Sequence, residues 1–193
     1  MTQPLDASRT RPLEGGPSFS LRHRLFRAAF ILCWALLARW TPPPLHGWRR
    51  MVLRAFGARL HPTARVYSSA RIWYPPHLEM GAHSVLAGRV NCYAMDRITI
   101  GSYCVISQGA ELCGGTHLVD DPDFQLVTRP IAIGDYAWIA ADAFVGPGVR
   151  IGKGAVLGAR ALTMRDLEPW GVYAGNPARL LRQRRWDRLP GKT

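Results

Sequence analysis

Histidines come first in a search for chemistry, because a neutral imidazole exchanges a proton near pH 7. The chain has six: His23, His46, His61, His77, His83 and His117. Only His117 lies beyond residue 83, and it belongs to no H-x₄-H pair. A catalytic zinc site needs three protein ligands, so a metal hydratase is disfavoured and no metal is expected. Position singles out His117. It ends a regular six-residue unit, LCGGTH, where the regularity stops and an irregular stretch begins. Functional groups on rigid scaffolds gather where a regular element hands over to a loop. Asp120 and Asp121 follow it and read as solvated loop acids. The four cysteines, Cys33, Cys92, Cys104 and Cys113, form no C-x-x-C pair and read as small buried thiols of a reducing compartment.

The element that must position His117 repeats every six residues. Ile133, Ile139, Val145, Ile151 and Leu157 are spaced at six, most of them followed directly by Gly or Ala. Ile100, Ile106 and Leu112 repeat the pattern earlier, as do Leu60, Val66, Ile72 and Leu78. The triplets ending at Met80, Ile100 and Ile133 are 20 and then 33 residues apart, so 13 extra residues interrupt the repeat between Gly115 and Pro130. Neither a helix nor an alternating strand has this period. A solenoid of flat faces does: each unit makes one short strand whose first residue points into a narrow core. The small residue after it lets the chain turn the corner.

The 193 residues are 48% hydrophobic and 20% charged, enough for a buried core. Net charge is +12, divided as +8 over residues 1–60, −1 over 61–170 and +5 over 171–193. A neutral body with basic ends argues against nucleic-acid binding by the core. Residues 1–17 read as a mobile tail and 18–57 as a helical segment. Residues 58–170 form the solenoid, with a loop at about 116–130, and 171–193 a basic segment with a short helix. The apolar run 28–38 rises only about 16 Å as a helix, against a hydrocarbon core of about 30 Å. It has no signal-peptide pattern, so a cytoplasmic location is expected. Its flanking Arg22, Arg24, Arg27 and Arg39, with a second helix over 45–56, suggest peripheral contact with an anionic membrane. The other expectation for these helices is that they cap the first coil.

These hexads resemble the bacterial hexapeptide-repeat acyltransferases, which wind a left-handed parallel β-helix. More narrowly, the chain resembles the colanic-acid-type O-acetyltransferases of exopolysaccharide biosynthesis. The blocks that carry this are SFSLRHRLFR, PLHGWRRMVLRAFGA, ITIGSYCVISQGAELC, RPIAIGDYAWIAADAFVGPGVRIGKGAVLGA and YAGNPARLL. The resemblance implies transfer of acetyl from acetyl-CoA to a sugar hydroxyl, on a free, nucleotide-linked or lipid-linked acceptor, by a homotrimer whose sites each draw on two subunits. It makes His117 the catalytic base, with a backbone N–H near 138–141 meeting the negative charge that develops on the carbonyl oxygen. It assigns Asn91 to the acceptor and Trp138, Ala141, Ala159, Arg165 and Arg182 to the coenzyme. Two departures stand out. Leu118 follows His117 where that branch often has Asp, and Met164-Arg165 replaces Thr-Lys. The rival reading, a non-enzymatic scaffold, gives no reason for a His at the loop junction.

Overall fold

The computed structural model describes residues 3–186. From residue 59 onward the chain winds as a three-faced prism of parallel strands. The first face runs from Arg59–Leu60 to Arg150–Ile151, the second from Arg65–Val66 to Gly171–Ala174, and the third from Arg71–Ile72 to Leu162–Thr163. On the second face Arg65 pairs with Val85, Val85 with Val105, and Val105 with Trp138. That register steps by 20, 20 and then 33 residues, so the insertion leaves the coil above and below it in phase.

The predicted inward residues make the core. Leu78, Leu86, Ile106, Leu112, Ile139 and Leu157 are fully buried. A second inward set escaped the period-of-six reading: the residue two before each strand core, such as Ala64, Ser84, Cys104, Ala110, Ala137 and Ala155, is also buried at the corners. Ahead of the second-face strands these corner residues are small, whereas ahead of the first-face strands Ile98 and Ile131 fill the same position. Corner glycines serve close approach between coils. A Cβ on Gly152 would sit 2.4 Å from Pro169 N, far inside van der Waals contact.

Helix α1 (Ala7–Thr10) is one turn, α2 spans Leu21–Leu37 and α3 spans His46–Ala55. Ser20 caps α2 by accepting from His23 N, and Pro42, Pro43 and Pro44 separate it from α3. The two longer helices close the first coil, as the capping expectation had it. Phe30 and Trp34 of α2 and Val52 and Leu53 of α3 belong to the same apolar cluster as the prism core. Arg49 is the surprise of α3, being fully buried. Its guanidinium donates to Val66 O, Thr41 Oγ1, Pro42 O and Pro43 O at 2.6–2.9 Å. It thereby ties the proline turn to the first coil through carbonyls of both. Arg50 and Arg54, on the polar face of α3, donate to Ala64 O and Leu60 O of the first coil. Trp48 and Met51 point outward instead.

The other expectations differ at both ends. Residues 3–17, read from composition as a tail, carry α1 and a 3₁₀ turn at Pro12–Glu14, and Ala7 is buried. The basic C-terminal segment was expected as a short helix. Within the described residues it is a strand, Arg179–Gln183, antiparallel to Gly171–Ala174. The open edge of the second sheet offers unpaired backbone groups, whereas a helix this short would not sustain itself. Residues 187–193 lie outside the described residues.

Candidate functional site

The insertion leaves the prism at the corner between its third and first faces. It folds as a hairpin, Gly115–His117 pairing with Leu126–Thr128. His117 ends the outgoing strand, and two contacts hold its ring. Nδ1 lies 2.7 Å from the carbonyl oxygen of Phe124, and the ring stacks on the Phe124 side chain with centroids 4.2 Å apart. A carbonyl only accepts, so Nδ1 carries the proton, and Nε2 is left with its lone pair directed outward. That is the tautomer a general base needs. Asp120 and Asp121 do not contact the ring, and Asp121 Oδ1 accepts instead from Asp123 N. The group that orients the ring is thus a backbone carbonyl.

The hairpin is itself held from a distance. Gln125, next to Phe124, accepts from Ala7 N at 2.7 Å through Oε1 and donates to Leu5 O at 3.1 Å through Nε2. Leu126 packs with Phe19 and Met95 beneath. The N-terminal segment therefore clamps the loop that orients His117.

The other predicted site residues fall in two groups. Asn91 lies on the third face, its Nδ2 donating to Glu111 Oε1 at 3.0 Å. Its strand pairs with the one leading to His117. Ala141 and Ala159 stand at the corner between the second and third faces, and Trp138 lies on the second face just before it. Trp138 donates from Nε1 to Ser107 Oγ at 2.9 Å, and Ala141 O accepts from Arg160 N. The N–H groups of Trp138 and Ala140 are spent on Ala155 O and Leu157 O. Among the described residues no group accepts from Ala141 N–H. Arg165 stands at the opposite corner of the last coil, its backbone tied to Thr163 Oγ1. Arg182 is exposed on the C-terminal edge strand, and among the described residues its guanidinium donates to the neighbouring Gln183 O. Within one chain, then, the structure brings Trp138, Ala141 and Ala159 together but leaves His117, Arg165 and Arg182 at other edges. Among the described residues no three His, Cys, Asp or Glu side chains converge as metal ligands.

Sequence reasoning missed Phe124 and Gln125. The first acts through its backbone, which no residue type announces. The second works across 118 residues of separation.

No family model matches the chain. Over 156 residues it is 40% identical to a protein of Escherichia coli (strain K12) named as colanic acid biosynthesis acetyltransferase WcaF, covering 79% of this chain and 86% of that one. It is 29% identical over 143 residues to a chloramphenicol acetyltransferase of Agrobacterium fabrum, covering 56% of this chain and 68% of that one. Among solved structures, a hexapeptide-repeat acetyltransferase of Vibrio cholerae in complex with acetyl coenzyme A superposes with a TM-score of 0.76. It is 22% identical and covers 86% of this chain and 91% of the other. A galactoside acetyltransferase bound to coenzyme A gives a TM-score of 0.72 at 21% identity, covering 85% and 83%.

Proposed function

The chain belongs to the acetyltransferase family that bears the colanic acid biosynthesis name, and from that premise we propose that it moves acetyl from acetyl-CoA to a sugar hydroxyl of an exopolysaccharide or its lipid-linked precursor. The observation that carries this reading is the fixed tautomer of His117. Its Nε2 accepts the hydroxyl proton as the sugar oxygen attacks the thioester carbonyl, and the Phe124 carbonyl stabilises the imidazolium. The C–S bond then breaks, and the coenzyme leaves as a thiolate that takes the proton from Nε2. Such a base contributes about 10²–10⁴-fold to rate. Acetyl-CoA supplies an activated acyl group. The small side chains of Ala141 and Ala159 and the open N–H of Ala141 fit close approach of that ligand, with Ala141 N–H meeting charge on the carbonyl oxygen. Trp138 forms the wall, and Arg165 and Arg182 are the cations for the coenzyme phosphates.

A homotrimer completes the site in this reading. His117 and Ala141 stand at different edges of the prism, and past Arg65 the outward row of the second face is apolar: Val85, Val105, Trp138 and Val172, with Val156 already buried between them. Val105 and Trp138 are over 40% exposed in a single chain, an arrangement that association would cover. Thiol release from acetyl-CoA with a panel of saccharides tests the activity. His117→Ala is expected to lower turnover 10²–10⁴-fold with acetyl-CoA binding unchanged. Near-wild-type turnover would remove His117 from the mechanism.

No helix among the described residues is long and apolar enough to cross a membrane. The outer side of α2 nevertheless exposes Leu25, Ile31, Leu32, Leu36 and Leu37, with Trp40 beyond it. Together with Arg22, Arg24 and Arg39 this supports peripheral contact with anionic lipid. Because α2 also closes the core, the test is substitution, not deletion. Ile31→Gln/Leu32→Gln/Leu36→Gln should stay folded and no longer sediment with anionic vesicles. Failure of the intact chain to sediment at low salt would end the idea.

A further inference from the structure

The tip of the hairpin runs from Leu118 to Gln125, and Phe124 near its end has a left-handed backbone, φ 52°. A bulky side chain rarely adopts that conformation, so the surrounding loop must hold it there. The consequence lies in the carbonyl. Successive carbonyls of an extended strand point to opposite edges, and Gln125 O already faces the outgoing strand, where it accepts from Leu118 N at 2.9 Å. An extended Phe124 would therefore aim its own carbonyl away from that strand. The left-handed turn brings the oxygen back, 2.7 Å from His117 Nδ1. It also lays the Phe124 ring on the imidazole, 11° from parallel.

Four residues hold this turn: Asp121, Pro122, Asp123 and Phe124. Phe124 N donates to Asp121 O at 2.9 Å, closing a β-turn with Asp first and Pro second, the order such turns favour. The Asp121 side chain closes it a second time, its Oδ1 accepting from Asp123 N at 2.9 Å. Asp121 N donates in turn to Leu118 O at 3.2 Å, tying the turn to the outgoing strand one residue from His117. Among the described residues neither Asp121 nor Asp123 forms an ion pair. The Asp121 carboxylate therefore serves here as a hydrogen-bond acceptor. It is partly buried, whereas Asp120 beside it is exposed.

We propose that Asp121 is a positioning residue for His117. Its side chain fixes the turn, the turn keeps Phe124 left-handed, and Phe124 O keeps the proton on Nδ1 so that Nε2 stays free as the base. The proposal rests on the acetyl-transfer reading above and adds the residue on which the tautomer of the base depends. It reverses the expectation that Asp121 is a solvated loop acid. No contact with the ring is needed when the turn carries the effect.

The test compares wild type with Asp121→Ala, Asp121→Asn and Asp120→Ala in the full-length protein. Two readouts are followed: steady-state acetyl transfer, and the ¹⁵N signals of His117, which tell a protonated ring nitrogen from an unprotonated one. Asp121→Ala is expected to lower kcat roughly tenfold, with the KM for acetyl-CoA and the melting temperature unchanged. It should also turn the single Nδ1–H tautomer into a mixture of two. Asp121→Asn keeps an acceptor oxygen in the same place and should restore both kcat and the tautomer. Asp120→Ala removes the same charge one residue away and should change neither. Glycine adopts positive φ freely, so Asp121→Ala should cost less in a Phe124→Gly background than in wild type. A wild-type kcat or an unchanged tautomer in Asp121→Ala overturns the proposal. So does an Asp121→Asn protein as impaired as Asp121→Ala, because the charge and not the turn would then be responsible. The tautomer readout does not depend on turnover. Absence of acetyl transfer in the wild type sinks the acetyl-transfer reading, whereas a His117 ring indifferent to Asp121→Ala sinks the positioning role alone.

Discussion

The prism and the hairpin that interrupts it obey different rules. In the prism every coil repeats the last, each inward residue meets its counterparts one coil above and below, and strands pair in register from end to end. The hairpin has no repeat. It is held by a carbonyl on an imidazole, a glutamine reaching the N-terminal segment, and a small cluster of Phe19, Met95 and Leu126. A frame that only repeats can offer the same surface many times but cannot converge unlike groups on one point. Chemistry therefore sits where the repeat breaks, and the cost is that the site depends on parts the repeat does not stabilise.

Substitutions on the two sides should separate cleanly. The largest effect is expected from Ile139→Asp. Ile139 is fully buried between Ile106 and Leu157 in neighbouring coils. A carboxylate there has no partner and costs several kcal/mol, comparable with the roughly 5–15 kcal/mol that holds a domain together. Circular dichroism should report loss of the solenoid, and a folded, active variant would show the hexad phase to be misassigned. His117→Ala is the counterpart, removing activity while leaving the same spectrum and melting temperature. The smallest effect, and the one that sharpens the contrast, belongs to Gln125→Leu. It frees the hairpin from Leu5 and Ala7 without touching the prism. Loss of positioning around a base costs about 10- to 10²-fold, so kcat should fall by roughly tenfold while the KM for acetyl-CoA and the melting temperature hold. An unchanged kcat would mean that the N-terminal clamp plays no part in orienting His117.

The legibility of this molecule in its sequence follows the same division. The prism could be read because a solenoid makes long-range order out of a local rule. Once Ile133, Ile139 and Val145 are seen six apart, their faces, their burial and the phase of the insertion follow. His117 could be singled out because it stands where that rule ends, though its partner could not. The expected C-terminal helix became a strand because an open sheet edge, which exists only after the coils have stacked, was available to pair with it.

The sequence alone determined the repeat, the inward residues, the place of the insertion and the basic, apolar character of the N-terminal helices. These are properties of neighbours along the chain. Tertiary structure decided the rest: that Arg49 would be buried among proline carbonyls, that Phe124 would orient His117, and that Gln125 would meet Ala7 across 118 residues. Each of those contacts pairs a polar group with whatever folding happens to bring beside it once water is excluded. No local pattern specifies that partner, because it has no address until the coils are wound.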